Sequence, residues 1–331
     1  MDPRLIDTIA DRLKKARTVL LATHVFPDGD ALGSQLALSN VLESLGKKVV
    51  CYGEEPVSHL YDFLPGCDRI DLARPEPGQF DCAVALDCGD AERMGHAMAS
   101  ILAIHPLIVI DHHKGNDGFG DLNWVDQTRA ATGEMVYDLA MAMGAEISYE
   151  TAYCLYAAIV TDTGSFKYSS TTAETFRVVR ELVNRGVKPA EVAGHLFDNF
   201  TVNRLHLLQE VLATLEIFMD GKVAVIHVSQ EMYDRTGTTQ TDTENFINYP
   251  RSLIPVKVAV FIKANSKGGL SVSLRSKGSD CDVTRVAHRF GGGGHRNAAG
   301  CRFQEKSIQQ VRDMLVEELR PLVDGTCVEQ V

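Results

Sequence analysis

The sequence predicts an α/β protein of two domains, a parallel-sheet domain with flanking helices followed by a smaller α/β domain, and three observations lead there. The chain has 331 residues, too many for one ordinary core of roughly 100 to 200 residues and too few for three. In its first half, short β-rich runs alternate with helical patterns, which is how parallel sheets covered by helices are written. Past a helical stretch near the middle, a second group of Val-rich β-like runs begins.

The elements follow in order. MDPRLIDTIADRLKKA sets Leu5, Ile9 and Leu13 on one helical face and carries acid from its second residue, unlike a secretory leader, so a cytoplasmic location is expected. TVLLATH, KKVVCYG, FDCAVALD and LIVIDHH read as strands, with ALGSQLALSNVLESLG a helix between the first two. The apolar stretch from Ala97 to Ile110 is interrupted by His105 and Pro106 and is shorter than the roughly 18 residues a membrane span needs. It reads as buried, and no membrane partner is expected. ATGEMVYDLAMAMG and SYETAYCLYAAIVTDTGSF are helical, the second closing on Asp162. From Thr171 to Leu215 the pattern stays helical, with a break at Gly186 and Pro189. The expected domains are therefore 1–187 and 215–331, joined by a helical linker over 188–214. In the second, KVAVIHVS, VKVAVFIKA and GLSVSLRS are β-like, VTRVAHRF is helical, and Ser307 to Leu322 is an amphipathic helix.

Composition narrows the partners. The eight cysteines include no CxxC pair and no zinc-like Cys/His spacing, so they read as reduced core residues. A net charge of −11 speaks against a stable complex with long nucleic acid, which needs many neutralised phosphates. The charge is uneven, however. Between Arg251 and Arg302 ten Lys or Arg meet two Asp, a local +8 that leaves −19 for the rest. One region suits a polyanion, the remainder cations.

Strand ends carry the chemistry. His24, Asp28 and Asp30 follow the first strand, with Pro27 and Gly29 forcing a turn. Mixed imidazole and carboxylate donors suit Mn²⁺ better than Ca²⁺. Asp28 also reads as an ordinary cap for the helix at Ala31. Asp87 ends VALD, and Asp111, His112 and His113 end an apolar strand where ionisable residues have no place in a core. Asp162 stands at a helix C-terminus, which disfavours negative charge unless a cation compensates. Near the C-terminus, Gly291 to Gly294 precede His295 and Arg296. Glycines let main-chain N–H groups approach a phosphate, so Gly293, Gly294, His295 and Arg296 are candidate phosphate contacts. Arg275 in SLRS and Arg129 in TRAATGE are candidate phosphate-binding arginines.

HVFPDGDA, ALDCGD, DHH and TDTGSF occur in the order of the four motifs of the DHH phosphoesterase family, and the chain resembles it over nearly its whole length. SVSLRS followed by GGGGHRNAAG is similar to the DHH-associated substrate domain. The resemblance implies a hydrolase using two divalent metal ions. His24, Asp28 and Asp87 would hold one, and Asp30, Asp87, His112 and Asp162 the other, with Asp87 bridging. Asp111 would orient a neighbour, and His113 would reach the phosphate as donor or acid, a buried structural role being its alternative. Within the family, length and the glycine-rich motif point to the nanoRNase-like members. Their substrates are RNA or DNA oligonucleotides of about two to five nucleotides, cut to 5′-mononucleotides, and 3′-phosphoadenosine 5′-phosphate (PAP), converted to AMP. A soluble phosphodiesterase acting on cyclic di-AMP or pApA is the alternative, followed by a family II pyrophosphatase and a non-catalytic nucleotide-binding protein. The resemblance also suggests a homodimer, with substrate received between the two domains.

Overall fold

The computed structural model describes residues 3–265, 268–278 and 280–324. The chain divides into two compact units, Met1–Asn199 and Phe200–Val331.

The first unit contains α1 (Pro3–Lys15), β1 (Thr18–Ala22), α2 (Gly29–Ser44), β2 (Lys48–Tyr52), β3 (Ile70–Asp71), β4 (Cys82–Leu86), α3 (Met98–Leu102), β5 (Leu107–Asp111), β6 (Leu122–Val125), α4 (Thr132–Ala142), α5 (Tyr149–Asp162), α6 (Ala173–Asn184) and α7 (Pro189–Phe197). Its sheet has the order β3-β2-β1-β4-β5-β6, every neighbour parallel. Strands covered on both faces need apolar residues at every position, and β1 shows why TVLLA does not alternate. Val19 and Leu21 join the core beneath α2 and α5, while Leu20 and Ala22 join a second core with Met94, Ala97 and Ile101. The apolar stretch from Ala97 supplies α3 and β5. No described helix is long and apolar enough to cross a membrane.

From β1 the chain winds outward through β2 and β3, then returns to the other side of β1 as β4. Such a reversal opens a crevice beyond the carboxyl ends of the two strands. The segments bearing His24 and Asp87 leave from those ends. The approach of α2 to α5 brings in the remaining acids. A Cβ on Gly33 would lie 2.5 Å from the Cys154 carbonyl oxygen and 3.0 Å from the Ala158 Cβ, so only glycine allows the two backbones this close. Asp30 opens α2 and Asp162 closes α5.

The second unit contains α8 (Val202–Ala213), β7 (Glu216–Phe218), β8 (Val223–Val228), α9 (Gln230–Thr236), α10 (Asn248–Ser252), β9 (Val258–Ala264), β10 (Leu270–Ser276), α11 (Thr284–Arg289), β11 (Gly293–His295), β12 (Ala298–Phe303) and α12 (Ile308–Val323). Its sheet order is β11-β12-β10-β9-β8-β7. The β8–β9 pair is parallel and the others antiparallel. Alternation now decides the faces. Val223 and Val225 pack with Val311, Leu315 and Leu319 of α12, whereas Ala224, Ile226 and Val228 pack with Leu207 and Val211 of α8. On β10, Leu270, Val272 and Leu274 are buried, leaving Ser271, Ser273 and Arg275 on the opposite face. Helices α7 and α8 lie within the segment 188–214, and the two units divide between them. Among the described residues seven cysteines are free, six of them buried.

Candidate metal centre

Two histidines turn their Nε2 atoms to carboxylates. His24 Nδ1 donates to the Val25 carbonyl at 2.9 Å, and His112 Nδ1 donates to the Arg129 carbonyl at 3.2 Å. A carbonyl oxygen only accepts, so Nδ1 carries a proton in both rings and Nε2 is the nitrogen turned to the carboxylates. His24 Nε2 lies 3.8 Å from Asp87 Oδ2. His112 Nε2 faces Asp162 Oδ2 at 3.4 Å, Asp87 Oδ1 at 3.5 Å and Asp30 Oδ2 at 3.8 Å. These separations are too long for charged hydrogen bonds. They fit neighbouring ligands of one ion, each about 2.0–2.2 Å from it. Three carboxylates gathered on one imidazole demand positive charge, which a proton on the ring or a cation between the groups supplies, so the donor set fits divalent metal.

The donors form three groups, His24–Asp28–Asp87, Asp30–His112–Asp162 and Asp87–His112–His113. All six ligands expected from the sequence are thus brought together, and Asp87 belongs to two groups. Their protonation shows the same demand for positive charge. Asp30 is pushed well above the usual carboxylate range by burial, then by Asp87 and Asp162. Burial likewise raises Asp162 to about 7, with Asp28 and Asp87 adding to the rise against the pull of His112. In His112, burial is overridden by Asp162, Asp87 and Asp30, which lift the ring to about 10. Cations replacing those protons would release them.

Local structure holds the donors in place. Asp28 Oδ1 caps α2, accepting from the Asp30 and Ala31 N–H groups at 3.1 Å each. Capping therefore coexists with a ligand role, because the second carboxylate oxygen is left over. Asp30 Oδ2 accepts from Thr132 N–H at 2.7 Å, and its Oδ1 from Gly133 N–H at 2.9 Å and Ser34 Oγ at 3.1 Å. The Thr132 hydroxyl donates to Asp87 Oδ1 at 2.9 Å. Asp87 itself has φ +56, a conformation that costs a non-glycine residue energy. Asp111 is fully buried, accepting from His113 Nδ1 at 2.6 Å and from Asn116 Nδ2 at 2.7 Å. Burial would raise Asp111, but these donors hold it down to about 2. His113 is raised, its burial outweighed by Asp87 and Asp111. Its Nδ1 is committed to Asp111.

In the second unit, Arg275 pairs in register with Ala259 and Ala298 and donates from Nη1 to the Leu274 carbonyl at 3.1 Å. Gly293 and Gly294 lie opposite Gly300 and Ala299 in β11. Gly294 has φ +135, and a Cβ there would lie 2.5 Å from the Ala298 carbonyl oxygen. Close pairing with β12 accounts for this glycine without a ligand. Arg296 is exposed, and its carbonyl accepts from Val283 N–H at 2.9 Å. The side chain of His295 lies outside the described residues. Lys263 shares a face with Ser271 and Arg275 and is pushed down to about 8 by burial, then by Arg275.

Comparison with known proteins places this geometry. The DHH family N-terminal domain matches residues 18–159, and the DHHA1 domain matches residues 220–320. A bifunctional oligoribonuclease and PAP phosphatase NrnA from Thermus thermophilus is 32% identical over 315 residues, 94% of this chain and 92% of that one. The chain belongs to the DHH family. It is accordingly a metal-dependent phosphoesterase. A crystal structure of an exopolyphosphatase-related protein from Bacteroides fragilis superposes on this DHH chain with a TM-score of 0.89 at 28% identity, covering 97% of this chain and 98% of that one. The Thermus thermophilus RecJ structure with Mn²⁺ shares the fold, with a TM-score of 0.58 at 14% identity over 97% of this chain and 55% of that one.

One site residue of the DHH unit lies otherwise than the sequence suggests. The Arg129 guanidinium contacts Asp138 at 2.5 Å, Asp126 at 3.4 Å, Glu174 at 3.6 Å and Glu134 at 3.9 Å. Four carboxylates thus surround the group expected to take phosphate, while its Nη1 makes no hydrogen bond among the described residues. Its carbonyl is what reaches the site, through His112. Thr132, Ser34, Asn116 and Lys263 escaped the sequence reading. Only the position of Thr132 at the start of a helix pattern, beside Arg129, hinted at a role.

Proposed function

We propose that this protein hydrolyses RNA or DNA oligonucleotides of about two to five nucleotides to 5′-mononucleotides, and converts PAP to AMP, with two divalent ions for which Mn²⁺ is the best candidate. The observation that carries this reading is that Asp87 groups with His24 and Asp28 and also lies 3.5 Å from His112 Nε2, which groups with Asp30 and Asp162. His24, Asp28 and Asp87 would hold one ion, and Asp30, Asp87, His112 and Asp162 the other. Bound there, paired divalent cations supply Lewis acidity, lowering the pKa of an attacking water and offsetting the charge of the phosphate.

The chain's own groups do the rest. Asp111 fixes the His113 ring through Nδ1, so that Nε2 donates a proton to a phosphate or leaving-group oxygen. Arg275, Gly293, Gly294, His295 and Arg296 bind further phosphates, and Lys263 adds charge beside Arg275. The names of the Thermus thermophilus relative and of the Bacillus subtilis NrnA, 28% identical over 287 residues, support the paired substrates.

The test is a panel of labelled RNA and DNA from two to twenty nucleotides, run beside PAP, pApA, cyclic di-AMP and pyrophosphate with Mn²⁺ or Mg²⁺. Rapid release of 5′-mononucleotides from the shortest chains and of AMP from PAP is expected. Cyclic di-AMP or pyrophosphate as the best substrate would overturn the reading.

A further inference from the structure

Two side chains at the rim of the metal centre have no part in the mechanism above. Phe26 stands between His24 and Asp28 with 65% of its surface exposed. Its φ of +54 is a left-handed conformation that costs a bulky residue of order 1–3 kcal/mol and persists only where the surroundings impose it. Those surroundings are visible. Phe26 N–H donates to Glu55 at 3.1 Å, and Val25 N–H donates to the Arg93 carbonyl at 2.8 Å. Glu54 accepts from His96 N–H at 2.8 Å and from the Tyr52 hydroxyl at 3.3 Å. The loops after β1, β2 and β4 thus brace one another and hold the Phe26 ring outward.

The second side chain is Arg93. It is half-buried, and its guanidinium makes no hydrogen bond or ion pair among the described residues. Its backbone is tied to the loop that carries Phe26, since the Arg93 carbonyl accepts from Val25 N–H. A guanidinium without a carboxylate partner beside a phosphate-handling site can meet a phosphate oxygen bidentately.

We propose that Phe26 and Arg93 form a nucleotide subsite of the first unit, the ring stacking on the base next to the scissile phosphate and the guanidinium binding a phosphate oxygen. This rests on the oligonucleotide reading above. Stacking accepts every base, since each has a π-face, so the subsite holds a nucleoside without reading its identity. It also separates nucleotides from inorganic phosphates, which have no ring to stack.

The experiment compares pApA with the abasic analogue of the same backbone, with Mn²⁺ content measured for every variant. The parent is expected to favour pApA by roughly tenfold in KM, from a stacking contribution of about 1–3 kcal/mol per base. Phe26→Ala loses that preference and Phe26→Trp keeps it. Because the single native tryptophan, Trp124, is buried, the introduced indole reports directly, and its fluorescence is quenched when AMP is added. Arg93→Gln raises KM for both compounds roughly tenfold, with Mn²⁺ content as in the parent. Full preference for pApA in Phe26→Ala, no quenching in Phe26→Trp, or an unchanged KM in Arg93→Gln overturns the subsite. A parent that cleaves neither compound sinks the oligonucleotide reading instead, and the AMP titration of Phe26→Trp then decides the stacking separately.

Discussion

Single residues divide sharply into those whose purpose shows in the chain and those whose purpose shows only in space. That Asp87, His112 and Asp162 lie together was foreseeable because an ionisable group ending an apolar strand or a helix contradicts its surroundings. Thr132 was not, since a threonine opening a helix is unremarkable until its hydroxyl is found on Asp87. That contact is testable. Thr132→Val keeps the shape and removes the donor, a loss of about 1.5–3 kcal/mol for a hydrogen bond to a charged group. Titration calorimetry on the metal-free protein should show Mn²⁺ binding weakened by roughly tenfold or more, in proportion to that loss, and Thr132→Ser should restore it. An unchanged affinity in Thr132→Val would remove Thr132 from any role at the centre. Asp87→Asn should lower Mn²⁺ content more than Asp111→Asn, because among the described residues Asp87 enters two donor groups while the Asp111 carboxylate enters none and accepts from His113 and Asn116. Arg129 shows the opposite failure. Its charge was conspicuous in the sequence, but its four acidic partners come from Asp126, Glu134, Asp138 and Glu174, which no local pattern unites.

Elements were legible where periodicity was strong. The apolar strands of the first sheet and the alternating β10 declare themselves, since burial on two faces and on one leave different patterns. The glycine-rich β11 does not. Glycine disfavours strands, and Gly293–His295 is a strand only because β12 pairs with it, a tertiary effect invisible to local propensity. The contact of α2 with α5 was likewise hidden, although it sets Asp30 near Asp162. Gly33→Ala should therefore do two things at once. Forcing a Cβ against the Cys154 carbonyl and Ala158 is overpacking, which costs about 1–3 kcal/mol and should appear as a lower Tm. If the helices part to relieve it, Mn²⁺ affinity falls as well. A variant with parental Tm and parental affinity would show that this approach is not as tight as the glycine implies.

For the whole molecule, two units and their order were legible from length and from the change in β pattern, because each unit must bury its own core. Charge asymmetry extends that reading to substrates. A local +8 grips one or two phosphates, while −19 elsewhere provides no track for a long strand. Substrates of two to five nucleotides should be cleaved at least about tenfold faster than twenty-nucleotide ones, a difference of roughly 1.4 kcal/mol in the barrier. Equal rates at the two lengths would dismiss the argument from charge. Chelation should abolish activity and also lower Tm, since cations that bind only the folded chain stabilise it by mass action. The spread of the donors gives that linkage a direction in time. The ligands expected for one ion, His24, Asp28 and Asp87, are all synthesised early, whereas the other set ends with Asp162 at the end of α5, so a ribosome must have released about half of the polypeptide before both sets can exist. Manganese stoichiometry then becomes a reporter of synthesis, since a nascent chain that has emerged past Asp162 offers both ligand sets and one stopped just before it offers only the first.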